Sequence, residues 1–90
     1  MREVNFTTAF RRDYKRLSKS SQADLSLLEE VVALLANDLP LETRHRDHAL
    51  TGNWAGYREC HVKSDWLLIY KLSPDQLFLA RSGSHAELFG

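Results

Sequence analysis

An α+β fold, with a helical hairpin packed on a mostly antiparallel sheet in the order β-α-α-β-β-β, is predicted by three features of the sequence. Apolar residues recur at helical spacing only in the first part of the chain, before Pro40. The second half instead carries short runs of strand-forming residues separated by tight polar turns. One of those runs, Trp66 to Tyr70, is apolar without interruption, as a strand at the centre of a sheet must be. Helices gathered in one stretch and strands in another give an α+β layering, and 90 residues leave room for a single domain spanning 1–90.

Glu3 to Phe6 alternates polar and apolar residues, which predicts a short first strand at or near a sheet edge. Thr7 or Thr8 can cap the helix that follows, because a hydroxyl there accepts from a backbone N–H that the helix leaves unpaired. Phe10, Tyr14 and Leu17 fall on one stripe of it. Ser18 to Ser21 breaks the pattern, and Ser21 with Asp24 three residues on suggests a capping box that opens a second helix. Leu25, Leu28, Val32 and Leu35, with Leu27, Val31 and Leu34 beside them, give that helix a broad apolar side, and Asn37 ahead of Pro40 marks its end. So short a break makes the two helices a hairpin.

Leu39 to Ala55 has no period and contains Pro40, Gly52 and Asn53, so it reads as a long loop, either functional or tied down by its own side chains. Gly56 to Val62, Trp66 to Leu72 and Gln76 to Ser82 read as strands, turning at Lys63-Ser64-Asp65 and Ser73-Pro74-Asp75. In the middle one, Trp66, Leu68 and Tyr70 face one way and Leu67 and Ile69 the other. Trp54, Tyr57 and Trp66 are read as core or loop anchors, since large aromatics dominate small cores.

Basic and acidic residues cancel at 12 each, but they are segregated. Residues 1–20 carry six basic against two acidic side chains, whereas 21–43 carry five acids and no base. Arg11, Arg12, Lys15, Arg16 and Lys19 ring the polar side of the first helix. That face is either a solvated surface or a docking surface for phosphates. The longest apolar runs fall far short of the roughly 20 residues a membrane span needs. The start, MREVNFTTAF, lacks the features of a secretory signal. A lone Cys60 can neither close an internal disulfide nor build a cysteine zinc site, so the cytoplasm is the expected compartment.

All four histidines, His45, His48, His61 and His85, lie in the second half. Imidazole is the side chain best suited to exchange protons near neutral pH. His61 and Asp65 flank a tight turn, and in a meander Arg81 and His85 reach the same end of the sheet, where His48 from the long loop can fold over them. Spacing alone leaves open whether these residues form a proton-transfer cluster beside a cation or merely solvate loops. No histidine pair has the short spacing of a zinc site, and Cys60 points to the opposite strand face from His61. No metal and no cofactor are expected. Nucleophile-elbow and glycine-rich phosphate motifs are absent.

The run Arg46-Asp47-His48-Ala49-Leu50-Thr51-Gly52-Asn53-Trp54-Ala55-Gly56-Tyr57-Arg58-Glu59-Cys60-His61 resembles the YafQ-type branch of the RelE/ParE toxin superfamily. Asp65 to Tyr70 fits that branch's central strand, and Arg81-Ser82-Gly83-Ser84-His85-Ala86-Glu87-Leu88-Phe89 its C-terminal signature. The resemblance implies a RelE-like domain and a type II toxin-antitoxin toxin that cleaves messenger RNA on the translating ribosome. It implies catalytic positions at His48, His61, Asp65 and His85, with Arg81 at the phosphate and Phe89 near the scissile nucleotides. It also implies an antitoxin partner of the DinJ or RelB kind, with operator DNA met only through that antitoxin. Toxins of the superfamily are often basic, and this chain is neutral.

Such cleavage calls for a base at the ribose 2′-hydroxyl, a cation for the phosphorane charge and an acid for the departing 5′-oxygen. Arg81 suits the phosphate, His85 the acid, and Asp65 with His48 the base side, while His61 supports the phosphate or orients its neighbours. The products would be a 2′,3′-cyclic phosphate and a 5′-hydroxyl. Phe89 can stack on a base, and the basic face at Arg11, Arg12, Lys15, Arg16 and Lys19 can dock ribosomal RNA. The competing class is a non-nucleolytic protein: an antitoxin-bound co-repressor or a ParE-like topoisomerase inhibitor, neither of which needs an acid-base cluster.

Overall fold

The computed structural model describes residues 1–90. Its elements are β1 (Glu3–Phe6), α1 (Thr8–Ser18), α2 (Leu25–Ala36), β2 (His48–Ala49), β3 (Arg58–Lys63), β4 (Trp66–Leu72), β5 (Gln76–Gly83) and α3 (His85–Phe89), with 3-10 turns at Thr43–His45 and Gly52–Trp54. The sheet order is β1-β5-β4-β3-β2. β1 runs parallel to β5, and every other pairing is antiparallel. The predicted edge position of β1 and central position of β4 both hold.

Thr7 is the N-cap of α1, its hydroxyl accepting from the Phe10 N–H at 2.9 Å. The second helix starts later than predicted. Asp24, not Ser21, is its cap, accepting from the Ser26 N–H at 3.0 Å, and the predicted capping box does not form. A carboxylate one residue before the first turn reaches that orphan donor directly, leaving Ser21 in the turn. Two short elements were absent from the prediction, β2 and α3, and β3 begins at Arg58 rather than Gly56.

Both faces of β4 are covered. On one side Cys60, Val62, Trp66, Leu68, Tyr70, Leu77 and Leu79 pack against Phe10 of α1 and Leu28, Val31, Leu35 and Ala36 of α2. On the other, Leu67, Ile69 and Ala80 are covered by Leu88 of α3, with Leu50, Trp54 and Tyr57 from the long loop beside them. Each fully buried leucine, isoleucine, valine or phenylalanine here stabilises the fold by about 1.5–3 kcal/mol. The two long helices leave a groove of about 460 Å³ between them, lined by Phe6, Phe10, Tyr14, Leu28 and Val32 among others.

The long loop is tied down by its own side chains. Buried His45 donates Nδ1–H to the His61 carbonyl at 2.6 Å. Asp47 accepts from the Tyr70 hydroxyl and from Arg58 Nε and Nη2 at 3.2 and 3.3 Å. Burial, reinforced by Asp47, pushes the Tyr70 hydroxyl well above the ordinary phenol range.

β1 pairs with β5 only as far as Leu79. Beyond that, α1 covers the open edge with side chains. The Thr7 hydroxyl donates to the Ala80 carbonyl at 2.7 Å, Asp13 accepts the Ser82 N–H at 3.0 Å, and Arg16 donates to the Ser82 carbonyl at 3.0 Å. The edge polar groups are thus satisfied without another strand.

Candidate active site

Directly opposed residues of antiparallel strands share a face, so the register itself assembles the site. His48 lies opposite Glu59, Glu59 opposite Ile69, and Ile69 opposite Arg81. In the next row His61 lies opposite Leu67, and Leu67 opposite Gly83. A bulge places Leu79 and Arg81 against consecutive residues of β4. That extra residue, Ala80, puts Arg81 in the row of Ile69.

Glu59 was not among the predicted site residues. It is 4% exposed, and its Oε1 stands 3.6 Å from His48 Nε2 and 3.9 Å from His61 Nε2. Both imidazoles thus share one buried carboxylate as a neighbour. The sequence did hold a signal for it, because Glu59 and His61 are two apart on a strand and therefore face the same way.

Each site imidazole is pinned at Nδ1 by a group that can only accept. His48 donates to the Arg46 carbonyl at 2.7 Å, His61 to the Ser64 carbonyl at 2.9 Å, and His85 to Asp65 Oδ1 at 2.8 Å. Carbonyls and ionised carboxylates cannot donate, so Nδ1 carries the hydrogen and Nε2 is the nitrogen left to exchange protons. Two of these carbonyl contacts depend on left-handed backbone at non-glycine residues, Arg46 at φ 48° and Ser64 at φ 39°.

Asp65 Oδ1 also accepts the His85 backbone N–H at 3.0 Å, and the two bonds from His85 hold its carboxyl below the usual carboxylate range. The predicted base-side role of Asp65 is therefore not supported by the geometry, since both bonds turn it toward His85 as an orienting group. The His61 and His85 rings are 5.9 Å apart, and the His85 and Phe89 rings 6.1 Å. His48, His61, Asp65, His85 and Phe89 thus form one neighbourhood, with Glu59 beneath it.

Arg81 is in the right row, but its guanidinium turns to α1. Nε and Nη2 donate to Asp13 at 2.7 and 3.2 Å. Burial pushes the Asp13 carboxyl up, but bonds from Arg81, the Ser82 N–H and Arg16 outweigh it, and the net shift is down. With its Nε side taken, Arg81 keeps the Nη1 end for another acceptor.

The basic face divides. Arg12, Lys15 and Lys19 are exposed, and Arg11 lies 5.1 Å from the Phe6 ring centre, while Arg16 is engaged internally. Arg16, with a side chain 42% exposed, spends its donors on Asp13, the Ser82 carbonyl and Glu87, which sets it apart from the other residues of the predicted RNA-docking face.

A model of the family described as the bacterial toxin of type II toxin-antitoxin system, YafQ, matches residues 2–90. The mRNA interferase toxin YafQ of Escherichia coli strain K12 is 41% identical over 90 residues, covering 99% of this chain and 97% of that protein. The crystal structure of YafQ from E. coli strain BL21(DE3) is similar at a TM-score of 0.91 and 40% identity, covering all of both chains. A crystal structure of the E. coli DinJ-YafQ complex is similar at a TM-score of 0.90 and 41% identity, again over the full length of both chains.

Proposed function

The chain belongs to the YafQ toxins of bacterial type II toxin-antitoxin systems, and from that premise we propose that it is an mRNA interferase, an endoribonuclease cutting messenger RNA on the ribosome by acid-base catalysis. The observation that carries this reading is the set of three imidazoles, each fixed at Nδ1 and free at Nε2, with His48 and His61 beside the buried Glu59 and His85 next to His61.

In the proposed reaction His48 or His61 takes the 2′-hydroxyl proton at Nε2, and Glu59 stabilises the imidazolium that results. The 2′-oxygen forms a bond to phosphorus while the bond to the 5′-oxygen breaks. His85 Nε2 delivers a proton to that leaving oxygen, its ring held in place by Asp65 at Nδ1. Arg81 offers its Nη1 end to the phosphorane oxygens. A 2′,3′-cyclic phosphate and a 5′-hydroxyl result. Phe89, 46% exposed beside His85, stacks on a base, and Arg11, Arg12, Lys15 and Lys19 dock ribosomal RNA.

The partner is an antitoxin of the DinJ kind, as in the complex with the similar E. coli protein, and we assign it the apolar groove between α1 and α2. Operator DNA is met only through that antitoxin. No helix is long and apolar enough to cross a membrane, and a ribosomal substrate puts the site of action in the cytoplasm.

Primer extension on a defined message, with and without programmed ribosomes, tests the reading. Cuts are expected with wild-type protein on ribosomes and not with His85→Gln. Toxicity retained by His85→Gln, without cuts, would favour a topoisomerase or co-repressor role.

A further inference from the structure

Arg16 is bonded on three sides. Nη1 donates to Asp13 Oδ1 at 2.9 Å, Nη2 to the Ser82 carbonyl at 3.0 Å, and Nε pairs with Glu87 Oε2 at 3.0 Å. Glu87 in turn accepts the Ser84 N–H at 2.9 Å while the Ser84 hydroxyl accepts the Glu87 N–H, which closes the capping box of α3. Gly83 lies beneath the pair. A Cβ there would come within 2.8 Å of both Arg16 Nη2 and Glu87 Oε1, so a side chain at 83 would push the pair aside.

A helix of five residues is far too short to be stable alone, so α3 is placed by what holds it. Leu88 anchors its underside, Asp65 grips His85 on one flank, and Arg16 grips Glu87 on the other. His85 and Phe89 are four apart on this helix and share a face. Any rotation of α3 therefore moves both together.

We propose that Arg16, acting through Glu87, is a positioning residue of the active site that sets the orientation of α3 and so the aim of His85 Nε2 and Phe89. The inference rests on the nuclease reading above. It separates Arg16 from its neighbours on α1, whose loss should weaken RNA docking without touching α3.

The test compares wild type, Arg16→Gln, Glu87→Gln and the double variant in single-turnover cleavage on programmed ribosomes, with toxin titrated to saturation at several salt concentrations. Arg16→Gln and Glu87→Gln are each expected to lower the saturated rate at least tenfold. The half-saturating concentration and its salt slope should stay within twofold, and the double variant should be no worse than the poorer single. Lys15→Gln, by contrast, should raise the half-saturating concentration and flatten the salt slope. A normal saturated rate in Arg16→Gln, or a raised half-saturating concentration alone, would overturn the proposal and return Arg16 to the docking surface. Glu87→Gln leaves the Asp13 bonds intact, which guards against misfolding as the cause. Carbon-13 spectra of the His85 imidazole and its contacts to the Phe89 ring are read in the same proteins. They should change in both single variants, and unchanged spectra would also overturn the proposal. If wild type makes no cuts at all, the nuclease reading falls, and these spectra still decide whether Arg16 positions α3.

Discussion

Replacing Asp13 by Asn, a nearly isosteric change, should be among the most destabilising conservative substitutions in this chain, because it acts on a charged group that is buried. Asp13 is 2% exposed and accepts four hydrogen bonds: two from Arg81, one from Arg16 and one from the Ser82 N–H. Bonds to a charged group contribute about 1.5–3 kcal/mol each, and a buried N–H left without a partner costs about 1–3 kcal/mol. The arginines soften the loss, because at 42% and 28% side-chain exposure they recover water. We therefore expect about 3 kcal/mol, the lower end of the range for breaking a buried pair. In a domain of this size that is a fall in Tm of about 12–24 °C, measurable by circular dichroism at pH 7. The acid limb gives a second check. Asp13 is held below its ordinary 3.8 in the folded protein, so between the two values the unfolded chain binds more protons and stability rises with pH. The contribution is complete above the unfolded value and is lost as pH falls through the folded one. The gap between wild type and Asp13→Asn should close over that descent. A Tm change under about 4 °C, roughly 1 kcal/mol, or a gap that persists at low pH, would refute the reasoning.

Ser82→Ala should leave the Trp66 indole N–H, now bonded to the Ser82 hydroxyl at 2.9 Å, buried and unpaired; a loss of about 1–3 kcal/mol is expected, read as a lower urea midpoint at unchanged m. Tyr70→Phe should release one of the bonds that hold Asp47, and hydrogen exchange should speed up at residues 46–49 while the β4 amides stay protected. The Cys60 thiol, pushed up to about 12 chiefly by burial, should resist a disulfide reagent at pH 8 in the native protein and react only at the rate of unfolding.

Where periodicity was strong, the chain announced its own structure. Phe10, Tyr14 and Leu17 marked α1, and the unbroken Trp66 to Tyr70 run marked the central strand. What escaped was short or relational. β2 has two residues and α3 has five, too few for any period to register. Asp13 occupies the position three after Phe10 on the apolar stripe of α1, which was a sign of a buried acid, but its partners sit nearly seventy positions away on β5. The histidines and Asp65 were legible as proton-transfer chemistry, whereas Glu59 looked like an ordinary strand acid until the register set His48 opposite it. Arg16 was indistinguishable from Arg12 in the sequence; only the ending of β1 at Phe6, which leaves part of β5 without a neighbour, separates the two.

The side-chain cover over that part of β5 bears on how the protein fails. Unpaired strand edges recruit other strands, and natural proteins block them with charges or overlying segments. Here the blocking segment is α1, so a chain in which α1 lifts while the sheet persists would present a fresh template for strand addition. Partial unfolding at this helix, rather than global melting, would then set the onset of aggregation, and substitutions that loosen α1 from β5 would lower solubility at temperatures where the sheet is still folded.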